Sequence, residues 1–174
     1  MQQDIEITAA EQEPSNSTGL AEQTHEISKE IKEELIKRRE ERSLVFFLLY
    51  GMDSWGYEIS LENLAHNLIQ EFHTQIDLNG NIINMAASVI EQRDKLDETI
   101  KPLLAHWRIE RLGVCTRLIL RLAVWEFLYT QTAPQIIMNE AIELAKCFAE
   151  KDAYRFINGV LDELSKRLGN KETK

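Results

Sequence analysis

Two short stretches of the chain carry side chains whose types and spacing could do chemistry. "KRREER" (Lys37–Arg42) sets Lys37, Arg38, Arg39 and Arg42 against Glu40 and Glu41. On a helix, Arg38 and Arg42 stack one turn apart, with Arg39 beside Arg38. That makes a short basic edge, suited to a few phosphates or to guanidinium stacking on bases. Exposed mixtures of Lys, Arg and Glu are more often a solvated helix face, and both readings stand at this point. The second stretch is the polar corner Glu150–Phe156, with Lys151 and Arg155 basic, Asp152 placed to cap a helix, and Tyr154 and Phe156 aromatic. Aromatics that stack, cations for phosphates and acidic acceptors for base edges are the parts of an RNA reader. A capped helix start with core aromatics uses the same residues.

Catalytic constellations are not expected. His66 and His73 are seven apart, on one helical face but two turns from each other, and no cysteine joins them at zinc-site spacing. The seven glycines build neither a phosphate-cradling loop nor a dinucleotide fingerprint. Acid pairs such as Glu140 and Glu143 sit on an amphipathic helix, where a solvated face explains them. No enzymatic activity, metal or cofactor is expected.

The charge balance is compatible with RNA once its distribution is seen. The 174 residues carry a net charge of −9. Residues 1–28 contain six acids (Asp4, Glu6, Glu11, Glu13, Glu22 and Glu26) and no Lys or Arg. Setting these six aside leaves 23 acids against 20 Lys and Arg, a net of −3, and a local patch matters more than the total. The same 28 residues are polar and poor in aromatics, so they are expected to be a disordered acidic extension. No apolar run approaches the ~20 residues of a membrane span, and the start lacks the basic and apolar parts of a signal peptide. Cys115 and Cys147 are expected to be reduced thiols in a cytoplasmic protein.

These stretches need helices to position them. The spacing predicts a first helix from about Lys29 to Tyr50, whose second half, "SLVFFLLY", is apolar nearly all round and should be buried. Ser60 should cap a second helix. "DLNGN" (Asp77–Asn81) is turn chemistry, followed by a third helix to about Arg93. Asp94 or Asp97 starts a fourth, which Pro102 kinks or restarts. "HWRIERLGVCTRLILRLAVWEFLY" reads as one long helix. Pro134 suits the first turn of the next, which runs to about Phe148. The last helix should start at Asp152, and "GNKETK" should fray. No run alternates with period two. The result is an all-α chain of about seven helices in two packed bundles, 29–93 and 94–170. In the closing hairpin, "NEAIELAKCFAEKDAYRFINGVLDEL", Gly159 costs about 1 kcal/mol against Ala. It is therefore expected at a close helix approach, with Asn139 and Asn158 as buried hydrogen-bonding pins.

Four stretches in order resemble the family of the bacterial transcription antitermination factor NusB. "RREERSLVFFLLY" resembles its basic opening helix ending in Leu-Tyr. "LLAHWRIERL" resembles its Trp-containing segment. "RLILRLAVWEF" resembles its Arg-x-Ile-Leu-Arg helix. "MNEAIELAKCFAEKDAYRFINGVLD" resembles its run from Asn-Glu-Ala to Asn-Gly-Val-Leu-Asp. The resemblance covers about residues 37–168.

It implies a NusB-like, non-enzymatic helical protein that binds boxA RNA jointly with the ribosomal protein NusE. The pair joins RNA polymerase and other Nus factors to suppress termination, chiefly in ribosomal RNA operons, and some members form homodimers. The implied RNA-binding positions are Lys37, Arg38, Arg39 and Arg42, then Glu150, Lys151, Asp152 and Phe156. The implied NusE-binding positions are Tyr50 and Thr116. Three departures stand out. Glu40 replaces a common basic residue, Phe47 stands where Gln is usual, and Thr116 replaces an acid that pairs with a NusE arginine. The alternative is a helical protein–protein adaptor of the same fold without sequence-specific RNA binding. A methyltransferase carrying such a domain is not expected, because the chain ends at Lys174.

Overall fold

The computed structural model describes residues 17–172 apart from Gln75 and His106, with side chains described from residue 29 to 169 apart from those two and Ile31. Seven α-helices follow in order: α1 (Ser17–Ser54), α2 (Leu61–Phe72), α3 (Asn81–Glu91), α4 (Arg93–Ile100), α5 (Val114–Tyr129), α6 (Pro134–Phe148) and α7 (Ala153–Glu172). Two 3-10 turns, Lys101–Leu103 and Ile109–Arg111, lie between α4 and α5. No strand occurs among the described residues. No helix among them is long and apolar enough to cross a membrane.

Local chemistry accounts for most boundaries. The Ser60 hydroxyl accepts from the Asn63 N–H at 3.1 Å and caps α2. Pro134 opens α6, where its missing N–H costs nothing. Pro102 ends α4 by diverting the chain into a 3-10 turn. Two boundaries differ from expectation. α1 starts at Ser17, not Lys29, since Ala21, Glu22, Gln23 and Glu26 are good helix formers that sustain it. The acidic extension expected to be disordered otherwise lies outside the described residues as far as residue 16. The single long helix expected from His106 begins only at Val114, because Gly113 precedes it in extended conformation and a 3-10 turn comes before that. α7 continues through Gly169 to Glu172 rather than fraying at "GNKETK".

The chain divides into two compact units, Met1–Arg38 and Arg39–Lys174. In the first, Arg38 and Glu34 pair at 2.8 Å across one helical turn. In the second, α5 is the central element, and its side chains from Leu118 to Val124 are all buried. α6 and α7 pack together and on α5, and α4 packs on α5 from another side. One hydrophobic cluster runs from Val45 to Leu164, so the two bundles expected on either side of Arg93 share a core. Fully burying a Leu or Ile side chain contributes about 1.5–3 kcal/mol.

Three sequence expectations fail on α1, α6 and α7. Asn139, Asn158 and Gly159 are exposed, and a Cβ on Gly159 would meet nothing within 4 Å. The inward face of α7 is Ile157, Val160, Leu161 and Leu164, which leaves positions 158 and 159 on the outer face. Close approach occurs instead at Gly51, where a Cβ would lie 2.7 Å from a Leu64 methyl. The apolar half of α1 is buried through Val45, Phe46, Leu48 and Leu49, while Phe47 and Tyr50 are 41% and 45% exposed.

Candidate nucleic-acid interface

The basic stretch resolves into side chains with different fates. Lys37 is exposed, and Arg38, also exposed, holds Glu34. Arg39 reaches Glu140 on α6 with two N–H groups, at 3.0 and 2.8 Å, and its side chain is 56% exposed. The Glu140 bond raises its pKa above the usual arginine value. Arg42 also grips a glutamate, Glu126 on α5, at 2.7–3.0 Å, but this pair is buried at 8% and 4% exposure. Burial opposes the Arg42 charge, and the Glu126 carboxylate more than offsets it, leaving the pKa raised. A guanidinium enclosed in this way is not presented to a ligand. Arg42, expected to contact RNA, here ties α1 to α5 through Glu126.

The corner between α6 and α7 is built around a carboxylate. Glu150 reaches the start of α5, where the Thr116 hydroxyl donates to its Oε2 at 2.7 Å. A Cβ on Gly113 would sit 1.5 Å from Glu150 Oε1, so a larger residue there requires the exposed Glu150 carboxylate to swing away from Thr116. An anion at a helix N-terminus also meets the positive end of the dipole. Burial, and then the Glu150 charge, push the nearby Cys115 thiol pKa up. The two residues expected to touch ligands, Glu150 and Thr116, are therefore bonded to each other. Thr116 is 3% exposed.

Asp152 does not cap α7. Its φ of +66° places it in the left-handed region, whereas a capping residue is usually extended. Its carbonyl accepts the Arg155 N–H at 3.0 Å, and its carboxylate stays exposed, 3.9 Å from the Arg155 guanidinium. Lys151 is exposed beside it. Phe156 is half-buried, packed on the core at one edge and meeting the Trp107 ring edge-on at 6.3 Å. Gly113, Thr116, Glu150, Lys151, Asp152 and Phe156 line a groove of about 400 Å³.

A second surface gathers aromatics. Phe148 stacks on Phe46 at 5.1 Å and meets Phe47 edge-on at 5.2 Å, and Phe46 lies 6.4 Å from Tyr50. Phe47 and Tyr50 thus form an exposed aromatic face on α1.

Sequence reasoning missed the polar framework. Arg121 holds Asp97 at 2.7 Å through two N–H groups, and Arg117 holds Asp53 at 3.2 Å. The Tyr57 hydroxyl donates to Asp53 at 3.0 Å. Burial, and then the Asp53 bond, raise its pKa. The signal was present. Glu126 stands between Trp125 and Phe127 with no cation one turn away, and Arg117 and Arg121 interrupt an apolar helix. Isolated charges in apolar runs require distant partners. Among the described residues no group of His, Cys, Asp and Glu could hold a metal ion.

The model of the NusB family matches residues 39–166. The chain belongs to the NusB family. Transcription antitermination protein NusB of Macrococcus caseolyticus (strain JCSC5402) is 34% identical over 131 residues, covering 75% of this chain and 98% of the relative. NusB of Staphylococcus haemolyticus (strain JCSC1435) is 37% identical over 129 residues, covering 74% and 99%. Among solved structures, T. maritima NusB has a TM-score of 0.63 at 26% identity, covering 74% of this chain and 90% of that one. A chain of the antitermination factors NusB and NusE in complex with dsRNA also scores 0.63 at 26% identity, covering 75% and 96%.

Proposed function

We propose that this chain is a transcription antitermination factor that binds boxA RNA together with NusE and supports RNA polymerase, with other Nus factors, in ribosomal RNA operons. It works without catalysis, in the cytoplasm. The observation that carries the reading is the corner groove, where Lys151, Asp152 and Phe156 meet beside one another, in a chain whose solved relatives include NusB with NusE and dsRNA.

Lys37, Arg38 and Arg39 supply cations for phosphates, and Arg39 exchanges its exposed bond to Glu140 for one to RNA. Asp152 accepts from a base edge, Lys151 meets a phosphate, and the exposed part of Phe156 offers a ring for stacking. Arg42, Glu150 and Thr116 hold these groups in place. Tyr50 and Phe47 form the face for NusE, which in this reading is reached through aromatic contact rather than through Thr116.

The carboxylate partners of Arg38, Arg39 and Arg42 favour the adaptor alternative. A titration separates the two. With NusE present, the protein should prefer boxA RNA over a scrambled sequence by about tenfold or more, as sequence-specific contacts of 1–3 kcal/mol imply. Equal affinity for both RNAs, with NusE still bound, would leave the adaptor.

A further inference from the structure

We infer that Trp107 is a direct RNA contact, its indole stacking on one unpaired base that enters the groove beside Phe156. The inference rests on the RNA-binding reading above and adds to it a residue and the kind of ligand it takes.

Trp107 is 61% exposed, although its ring is among the largest apolar surfaces a chain can bury. It is not loosely placed. Ala105 is held at φ +50°, in the left-handed region that residues with a Cβ rarely adopt, and the Trp107 N–H closes the turn on the Leu104 carbonyl at 2.9 Å. Leu104 on one side and Ile109 on the other are buried at 2% and 4%. The backbone is thus pinned at both ends, and strain of this kind collects at functional sites. The indole meets Phe156 at an interplanar angle of 65° and lines the groove with it.

The charges around the ring fit a single-stranded nucleic acid. Arg111 and Lys151 line the groove, are exposed and, among the described residues, pair with no carboxylate. Glu150 also lines the groove, its Oε2 holding the Thr116 hydroxyl at 2.7 Å. Glu110 faces Arg108 at 3.6 Å. Asp152, exposed and lining the groove as well, accepts from the amino edge of the stacked base. An aromatic ring flanked by cations and carboxylate acceptors takes a splayed-out base with its phosphates.

The test is boxA binding, with NusE present, by wild type, Trp107→Ala and Trp107→Phe. RNAs carrying a single abasic site at each position in turn complete the cycle. Trp107→Ala should weaken intact boxA about tenfold, within the range for losing one stacked base, while Trp107→Phe should stay within about threefold of wild type. At one position the abasic RNA should bind wild type about tenfold more weakly, yet bind Trp107→Ala as intact RNA does, the non-additivity of a direct contact. Wild-type preference for boxA with unaltered binding by Trp107→Ala, or with no position coupled to Trp107, overturns the inference and leaves the RNA-binding reading intact. Loss of the wild-type preference itself overturns that reading and the inference with it.

Discussion

Arg39 and Arg42 are three residues apart on α1, and each holds a glutamate with two N–H groups. The pairs look alike in distance, 2.8 against 2.7 Å at the closest contact, but the arginine side chains are 56% and 8% exposed. That difference decides what each does. An exposed pair contributes about 0–1 kcal/mol, so a phosphate competes for its guanidinium at little cost. Breaking a buried pair by removing one partner costs about 3–5 kcal/mol, because the charge left behind is unsatisfied. One guanidinium stays open to solvent, and the other is locked into the fold. At the corner Glu150, Lys151 and Asp152 are all exposed, and it is the Thr116 hydroxyl that sets Glu150 apart by holding its carboxylate.

The largest effect should come from Glu126→Ala. Leaving Arg42 buried and unpaired should lower unfolding stability by about 3–5 kcal/mol in urea melts. Replacing both partners, Arg42→Met with Glu126→Met, should recover most of that loss, since apolar groups of similar volume suit the site. No recovery would mean that the pair does more than fix α1 on α5.

Gly113→Ala comes next. The added Cβ displaces the Glu150 carboxylate, the far end of an exposed side chain, and should cost about 1 kcal/mol, the usual worth of the Thr116 hydrogen bond given up. Combining it with Glu150→Ala should reduce the added penalty, and full additivity would show that Glu150 is not the obstacle. Arg39→Ala should leave stability within about 1 kcal/mol of wild type and weaken boxA binding several-fold. Glu140→Ala, which frees Arg39, should tighten it slightly. The smallest effect is at Cys115. Its raised pKa means the thiolate forms only at higher pH than usual, so alkylation in a Cys147→Ser background should be slow near neutrality. Removing the nearby charge with Glu150→Gln should shift the alkylation profile to lower pH. An unmoved profile would place the Glu150 carboxylate elsewhere.

Much of the fold was legible because helix signals are local. The Ser60 cap, the Pro134 start and the apolar spacing of α7 each follow from a few neighbouring residues. What was not legible depended on distant partners. Gly113 reads as an ordinary glycine inside a helical pattern until Glu150, 37 residues on, is seen to occupy its Cβ position. Gly159, by contrast, looked like a packing glycine and faces outward. Arg42 and Arg39 are indistinguishable in sequence, since nothing local says which faces α5. Asp152 had the right type for a cap, but the turn between α6 and α7 needs a left-handed residue, and Asp is among the few that accept one.

The separation of Arg39 from Arg42 is tested most directly by the salt dependence of boxA binding with NusE. Each phosphate contact to a single strand contributes about 0.7 to the slope of log affinity against log salt. Arg39→Ala should flatten the slope by about that amount, and the Arg42→Met, Glu126→Met double variant should keep the wild-type slope. A double variant that melts like wild type yet flattens the slope, while Arg39→Ala does not, would contradict the account.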